Sequence, residues 1–197
     1  RSDALLLSLP MLLAQSRPPA QIIVVDSSAD PAPIREIVAR AAETSEIPLR
    51  HIESAPGLPL QRNRGLREAT ADVVFFPDDD SLVLPGTMEK ILRVYERDAD
   101  RRIGGVCGVE VGTPPPGIAE SAAQRYRSSF AERVERRVRR VRYGLEKRYA
   151  PSPIHLLQWR CARAIATPEW LPEANALVVE HMSGFTMSFR RDAIGAV

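Results

Sequence analysis

Four apolar residues followed almost at once by three carboxylates, Val73-Val74-Phe75-Phe76-Pro77-Asp78-Asp79-Asp80, constrain this chain more than any other segment. An unbroken apolar run of that length reads as a fully buried strand. The acidic triplet then lies at the strand's carboxyl end, the side of an open α/β sheet on which ligands bind. Like charges this close repel, so the cluster is costly unless a cation or solvent relieves it. Carboxylate oxygens suit a hard divalent cation, Mg²⁺ or Mn²⁺. The charged partners of such a metal are usually phosphates, which points to a metal–phosphate site. A second reading is an exposed Asp-rich turn that caps the next helix. The triplet alone leaves both open.

The flanking pattern supplies the sheet. Residues 3 to 16 read as a helix with Leu5, Leu6, Leu9, Leu12 and Leu13 on roughly one face. Gln21 to Val25 is a short buried strand closed by Asp26-Ser27-Ser28-Ala29-Asp30, and Ile34 to Thr44 is an amphipathic helix. Leu49 to Glu53 reads as an edge strand, and Pro56-Gly57-Leu58-Pro59 as a turn-rich loop. Arg62 to Ala71 is helical in pattern, Val73 to Phe76 the next strand, and Thr87 to Arg97 a helix started near Pro85. Ile103 to Val111 is a further strand, and Leu177 to Val179 and Phe185 to Phe189 are two more. Strand alternating with helix predicts a parallel-rich α/β sheet.

With 197 residues the chain fits one domain with a real core, and 44% hydrophobic with 26% charged residues is ordinary for a globular protein. No apolar stretch is long enough to span a bilayer. Asp3 ahead of the Leu5–Leu13 run, and the lack of a small-residue cleavage site after it, argue against a signal peptide. Cys107 and Cys161 have no metal-ligand spacing and read as reduced thiols of a cytoplasmic protein. Beyond Thr113-Pro114-Pro115-Pro116-Gly117 the pattern changes to a long helical stretch, placed as an insertion over residues 113 to 150. Between Arg125 and Tyr149 it holds ten Arg or Lys and three Glu, a charge of +7 in a chain of +2. Such a helix either packs on its own domain with a solvated basic face or lies on an anionic membrane surface. No aromatic stacking platform or reading motif accompanies the charge, so nucleic acid is not an expected partner.

Four segments now stand in order: Ile22 to Ser28, Gln61-Arg62-Asn63-Arg64-Gly65-Leu66, Val73 to Asp80, and His181-Met182-Ser183-Gly184-Phe185 through Arg191. Together they resemble the family 2 glycosyltransferases of the GT-A fold, over most of the chain apart from the basic insertion. The resemblance implies a Rossmann-like, mostly parallel sheet flanked by helices. It implies metal-dependent transfer of a sugar, with inversion and with Mg²⁺ or Mn²⁺, from a nucleotide-diphosphate donor (UDP-, GDP- or dTDP-linked) to an acceptor hydroxyl, in polysaccharide or glycolipid synthesis. By position, Asp26 would contact the donor's base or ribose, its other reading being a turn or N-cap residue. Asp80 would be the metal ligand, with Asp78 near the ribose or a metal-bound water and Asp79 assisting. Arg62 and Arg64 are candidates for the diphosphate or for surface ion pairs. His181, Ser183 and Gly184 would line the donor-sugar and acceptor side, and Arg190 and Arg191 would meet phosphate or solvent.

Two departures accompany the resemblance. The family's first strand would lie before Arg1, and the carboxylate general base of inverting members would lie beyond Val197, so residues 1 to 197 read as one domain incomplete at both ends. Asp192 sits too close to the arginines to serve as that base. The basic stretch places the protein in the cytoplasm, at the inner face of the membrane, with a carbohydrate or lipid-linked acceptor. Two other readings stand beside the transferase: a haloacid-dehalogenase-like phosphatase with Asp78 as nucleophile, and a non-catalytic membrane-surface binding module.

Overall fold

The computed structural model describes residues 2–108 and 186–195. All of them belong to one compact unit. The basic stretch of residues 113 to 150, the strand expected at 177 to 179, and His181, Ser183 and Gly184 lie outside the described residues.

The order is α1 (Ser2–Leu13), β1 (Ile22–Asp26), α2 (Ala32–Thr44), β2 (Leu49–Glu53), α3 (Leu58–Glu68), β3 (Val73–Pro77), α4 (Thr87–Arg97), β4 (Gly105–Cys107) and β5 (Thr186–Arg190), with a 3₁₀ turn at Arg191–Ala193. Strand and helix alternate as the patterning predicts. β1 and β2 pair in parallel, with Ile22 opposite Leu49 and Asp26 opposite Glu53. Parallel neighbours need a crossover, and α2 is that crossover.

Alternation along β1 sets the two layers. Ile22 and Val24 point to the side where Leu5 and Leu9 of α1 meet Ile34 and Val38 of α2, a core joined by Leu13, Ile37, Ala41 and Leu49. Val25 points the other way, onto α3, where its Cγ2 would stand 3.3 Å from a Cβ placed on Gly65. A glycine there lets helix and strand approach closely.

Three differences from the sequence-based expectations have physical causes. α3 begins at Leu58, inside the segment read as a turn-rich loop. Gly57, at φ 137°, redirects the chain, and Pro59 falls in the first helical turn, where its missing N–H costs nothing. Leu6 leaves the apolar face of α1 and is 54% exposed, while Ser8 takes a place between the buried Leu5, Leu9 and Leu12. β5 inserts between β3 and β4 and runs antiparallel to both. Phe75 and Val106 both register with Ser188. Its buried face is polar: Thr186, Ser188 and Arg190 point inward, while Met187 and Phe189 are only half-buried.

Candidate functional site

β3 delivers the acidic triplet directly. Past Pro77 the chain turns over Asp78 to Ser81, closed by the Ser81 N–H donating to the Asp78 carbonyl at 2.9 Å. The Asp79 carbonyl accepts from the Ser8 hydroxyl of α1 at 2.8 Å. Arg62 of α3 donates to Asp78 Oδ1 at 3.3 Å. Burial pushes the Asp78 carboxyl above its ordinary range; the Arg62 guanidinium opposes this, and the neighbouring Asp80 and Asp79 charges reinforce it.

The acidic turn forms one wall of a cavity of about 660 Å³. Ser27 and Ser28, just past β1, line it with Pro56, Gly57, Leu58 and Gln61 from the entry to α3. A cavity of that size is in the range of small-molecule and cofactor sites. Gln61 is held by its Nε2 donating to the Val25 carbonyl at 3.1 Å. The site therefore joins the carboxyl ends of β1 and β3, as the position of ligands in α/β sheets requires.

Asp26 stands behind this wall rather than in it. It is 6% exposed, and its Oδ1 accepts from the Ser28 amide at 2.8 Å and the Ser28 hydroxyl at 2.6 Å. His51 of β2 faces Oδ2 at 3.4 Å. Burial would raise this carboxyl; the bonds from Ser28 and the His51 contact outweigh it and hold the group below its usual range. Asp26 thus braces the Ser27–Ser28 turn. Arg64 pairs with Glu68 one helical turn on, at 3.2 Å.

The expectation that Arg190 meets phosphate or solvent is corrected. Its guanidinium is buried in a knot of main-chain acceptors: Nε donates to the Ile103 carbonyl at 3.0 Å, and Nη2 to the Tyr95 carbonyl at 2.9 Å and Asp98 Oδ2 at 3.2 Å. The same group lies over the Tyr95 ring, 5.0 Å from its centroid. β5 has a buried face at this position, so the side chain runs inward. Arg191, next in sequence, is exposed and reaches the Thr70 carbonyl at 3.4 Å. Asp192 is exposed and pairs with Arg101.

The carboxylates fit a metal that arrives with its ligand. Among the described residues no group of three or more His, Cys, Asp or Glu forms a ready-made cage. Mg²⁺-type ions are usually held by one or two carboxylates together with substrate phosphates. An acidic turn at a cavity edge, with Asp78 already partly desolvated, suits that mode. Sequence reasoning missed Ser8 and His51. Ser8 had a signal: a hydroxyl on the leucine face of α1, where burial demands a distant partner. His51 had none, because its role depends on the register of β1 with β2.

The architecture defines an α/β protein with a cavity at the carboxyl ends of β1 and β3. The model of the family described as Glycosyl transferase family 2 matches residues 1–157. The chain belongs to glycosyl transferase family 2 and is a glycosyltransferase. Neither a curated protein nor a solved structure matches it. Within the described residues no helix is long and apolar enough to cross a membrane.

Proposed function

We propose that this glycosyltransferase binds a UDP-, GDP- or dTDP-linked sugar in the cavity between β1 and β3 and transfers the sugar, with inversion, to a hydroxyl of a carbohydrate or lipid-linked acceptor. Such a reaction belongs to polysaccharide or glycolipid synthesis at the cell envelope. The observation that carries the reading is the acidic turn facing Ser27, Ser28 and Gln61 across one cavity.

In this reading the nucleoside end lies toward Ser27 and Ser28, which Asp26 holds in place, and the diphosphate lies toward the turn. Asp80 and Asp78 would hold Mg²⁺ or Mn²⁺, with Asp79 beside them, and Arg62 adds a positive charge next to Asp78. The ion, when bound, neutralises charge that builds on the departing diphosphate. In the transfer the acceptor oxygen attacks the anomeric carbon, the bond from that carbon to the diphosphate oxygen breaks, and a carboxylate base takes the hydroxyl proton. We place no described residue in that last role; Asp192 is committed to Arg101. His181, Ser183 and Gly184 are assigned to the donor-sugar and acceptor side from the resemblance alone. Residues 1 to 197 are read as one domain carrying the basic insertion at 113 to 150. Its +7 charge between Arg125 and Tyr149 supports work at the anionic, cytoplasmic face of a membrane.

A thermal-shift panel tests the donor site: the full chain with UDP, GDP or dTDP, each with and without Mn²⁺, beside Asp80→Ala. Saturation at about a hundred times Kd adds about 2.7 kcal/mol, a rise of about 5–11 °C for a chain of this size. One nucleotide should stabilise only with Mn²⁺, and Asp80→Ala should abolish the rise. No rise with any pair would overturn the reading. Sedimentation with anionic against neutral vesicles tests the basic stretch; equal binding to both would remove the membrane assignment.

A further inference from the structure

Helix α1 reaches the acidic turn and its continuation through two buried polar side chains. Ser8 is 1% exposed among Leu5, Leu9 and Leu12. A buried helical hydroxyl ordinarily bonds back to a carbonyl one turn earlier. This one reaches a carbonyl 71 residues away in sequence, that of Asp79. Gln15, 5% exposed, lies two residues past Leu13, the last residue of the helix. Its Nε2 donates to the carbonyls of Met11 at 3.0 Å, Val83 at 3.3 Å and Leu84 at 3.1 Å, and its Oε1 accepts the Met88 N–H at 3.2 Å. The last contact also satisfies one of the first amides of α4, which otherwise has no side-chain cap.

We propose that α1 is the template of the acidic turn, with Ser8 and Gln15 as positioning residues for the metal–diphosphate site. This rests on the donor-site reading given above. A peptide unit is planar, so fixing the Asp79 carbonyl fixes the plane that carries the Asp80 nitrogen and Cα, and with it the point from which that side chain departs. Three adjacent carboxylates repel one another and favour opening of the turn before any cation arrives. Bonds to the turn oppose this, among them Ser81 to the Asp78 carbonyl and Arg62 to the Asp78 carboxylate, and from α1 Ser8 to the Asp79 carbonyl. Ser8 is rigid because Leu5 and Leu9 pack against Ile34 and Val38. Gln15 holds Val83 to Met88, the stretch by which the turn enters α4. The site's geometry is thus referred to the core of the β1–β2 layer rather than to the loop itself.

The test compares full-length wild type, Ser8→Ala, Gln15→Leu and Asp98→Asn by titration calorimetry with Mn²⁺ and the diphosphate nucleotide that the wild type binds. Loss of a residue that orients a metal ligand typically lowers affinity 10- to 100-fold. Ser8→Ala should weaken Mn²⁺-dependent binding about tenfold, and Gln15→Leu should act in the same direction. Asp98→Asn lowers the melting temperature by weakening the buried pair with Arg190, away from α1 and the turn, and should keep wild-type affinity. Ser8→Cys, nearly isosteric and a weaker donor, should fall between wild type and Ser8→Ala, and serves if the alanine variant does not fold. Wild-type affinity in Ser8→Ala, or an equal loss in Asp98→Asn, would overturn the positioning role. Absence of Mn²⁺-dependent binding in the wild type is a different result: it removes the donor-site reading itself, and this proposal with it.

Discussion

Replacing Arg190 with methionine separates a structural arginine from a ligand-binding one. The guanidinium makes its bonds inside the protein, and the partner Asp98 side chain is 1% exposed. Removing one member of a buried pair costs about 3–5 kcal/mol, because the other charge stays buried without compensation. Asp98 retains bonds from the Arg102 amide at 2.9 Å and the Ile103 amide at 2.7 Å, which soften that loss. Against this, the Ile103 carbonyl loses the arginine's N–H, the Tyr95 carbonyl loses one donor while keeping the Asp98 N–H at 3.3 Å, and the Tyr95 ring loses a cation contact worth about 0.5–2 kcal/mol. The contributions roughly offset, leaving a loss of about 3–5 kcal/mol. At about 2–4 °C per kcal/mol the melting temperature falls by about 6–20 °C. In urea the midpoint should drop at unchanged slope, since stability changes and the surface exposed on unfolding does not. Arg191→Met, at the exposed neighbour, should stay within about 0.5 kcal/mol of wild type. Arg190→Met combined with Asp98→Asn should cost less than the sum of the two single changes, because they share one interaction. If Arg190→Met unfolds within about 1 kcal/mol of wild type, below the range for a broken buried pair, yet loses nucleotide binding, the knot is wrong and Arg190 belongs to the site.

Other outcomes follow from the same geometry. Asp26 and Asp98 both titrate below the ordinary carboxylate value when folded, so the stability they add is present above that value and is lost as pH falls through their folded pKa values; an acid titration of Asp98→Asn should show a shallower stability loss than wild type in that window. Asp78 is raised, so the opposite sign applies: its ionised form costs stability above its folded pKa. Asp78→Asn should therefore melt slightly higher than wild type at pH 7 while binding Mn²⁺–nucleotide more weakly, a pair of readings from one melting experiment with and without ligand. Gly86 has φ 79° just before α4; Gly86→Ala should cost about 1–2 kcal/mol by denaturant titration, the left-handed penalty for an L-residue.

Local patterning carried most of the fold. The apolar runs at Ile22 and Val73 mark strands by their composition, although the full burial expected of the Val73 run is not reached, since every residue of β3 is only partly buried. The periodicity at Ile34 to Thr44 and Thr87 to Arg97 marks helices because one stripe must face the sheet. The acidic turn was legible for the same reason: a strand's end is set by its own residues, so Asp78, Asp79 and Asp80 fall at the carboxyl edge whatever packs around them. Family membership followed from the order of such segments.

Tertiary structure decided what no local pattern could. The inward face of β5 is Thr186, Ser188 and Arg190, not Met187 and Phe189, because Tyr95 and Asp98 offer polar partners there: the Tyr95 hydroxyl meets Ser188 Oγ at 3.0 Å and Asp98 takes the arginine. Which face of a strand is buried depends on what stands opposite, and those partners lie more than ninety residues away in sequence. The same holds for His51, which meets Asp26 only through the pairing of β1 with β2, and for Ser8, whose hydroxyl finds Asp79 only once α1 has packed. Charge and hydropathy are properties of a residue and can be read along the chain; hydrogen-bond satisfaction is a property of a pair, and the pairs that shape this site are made by folding.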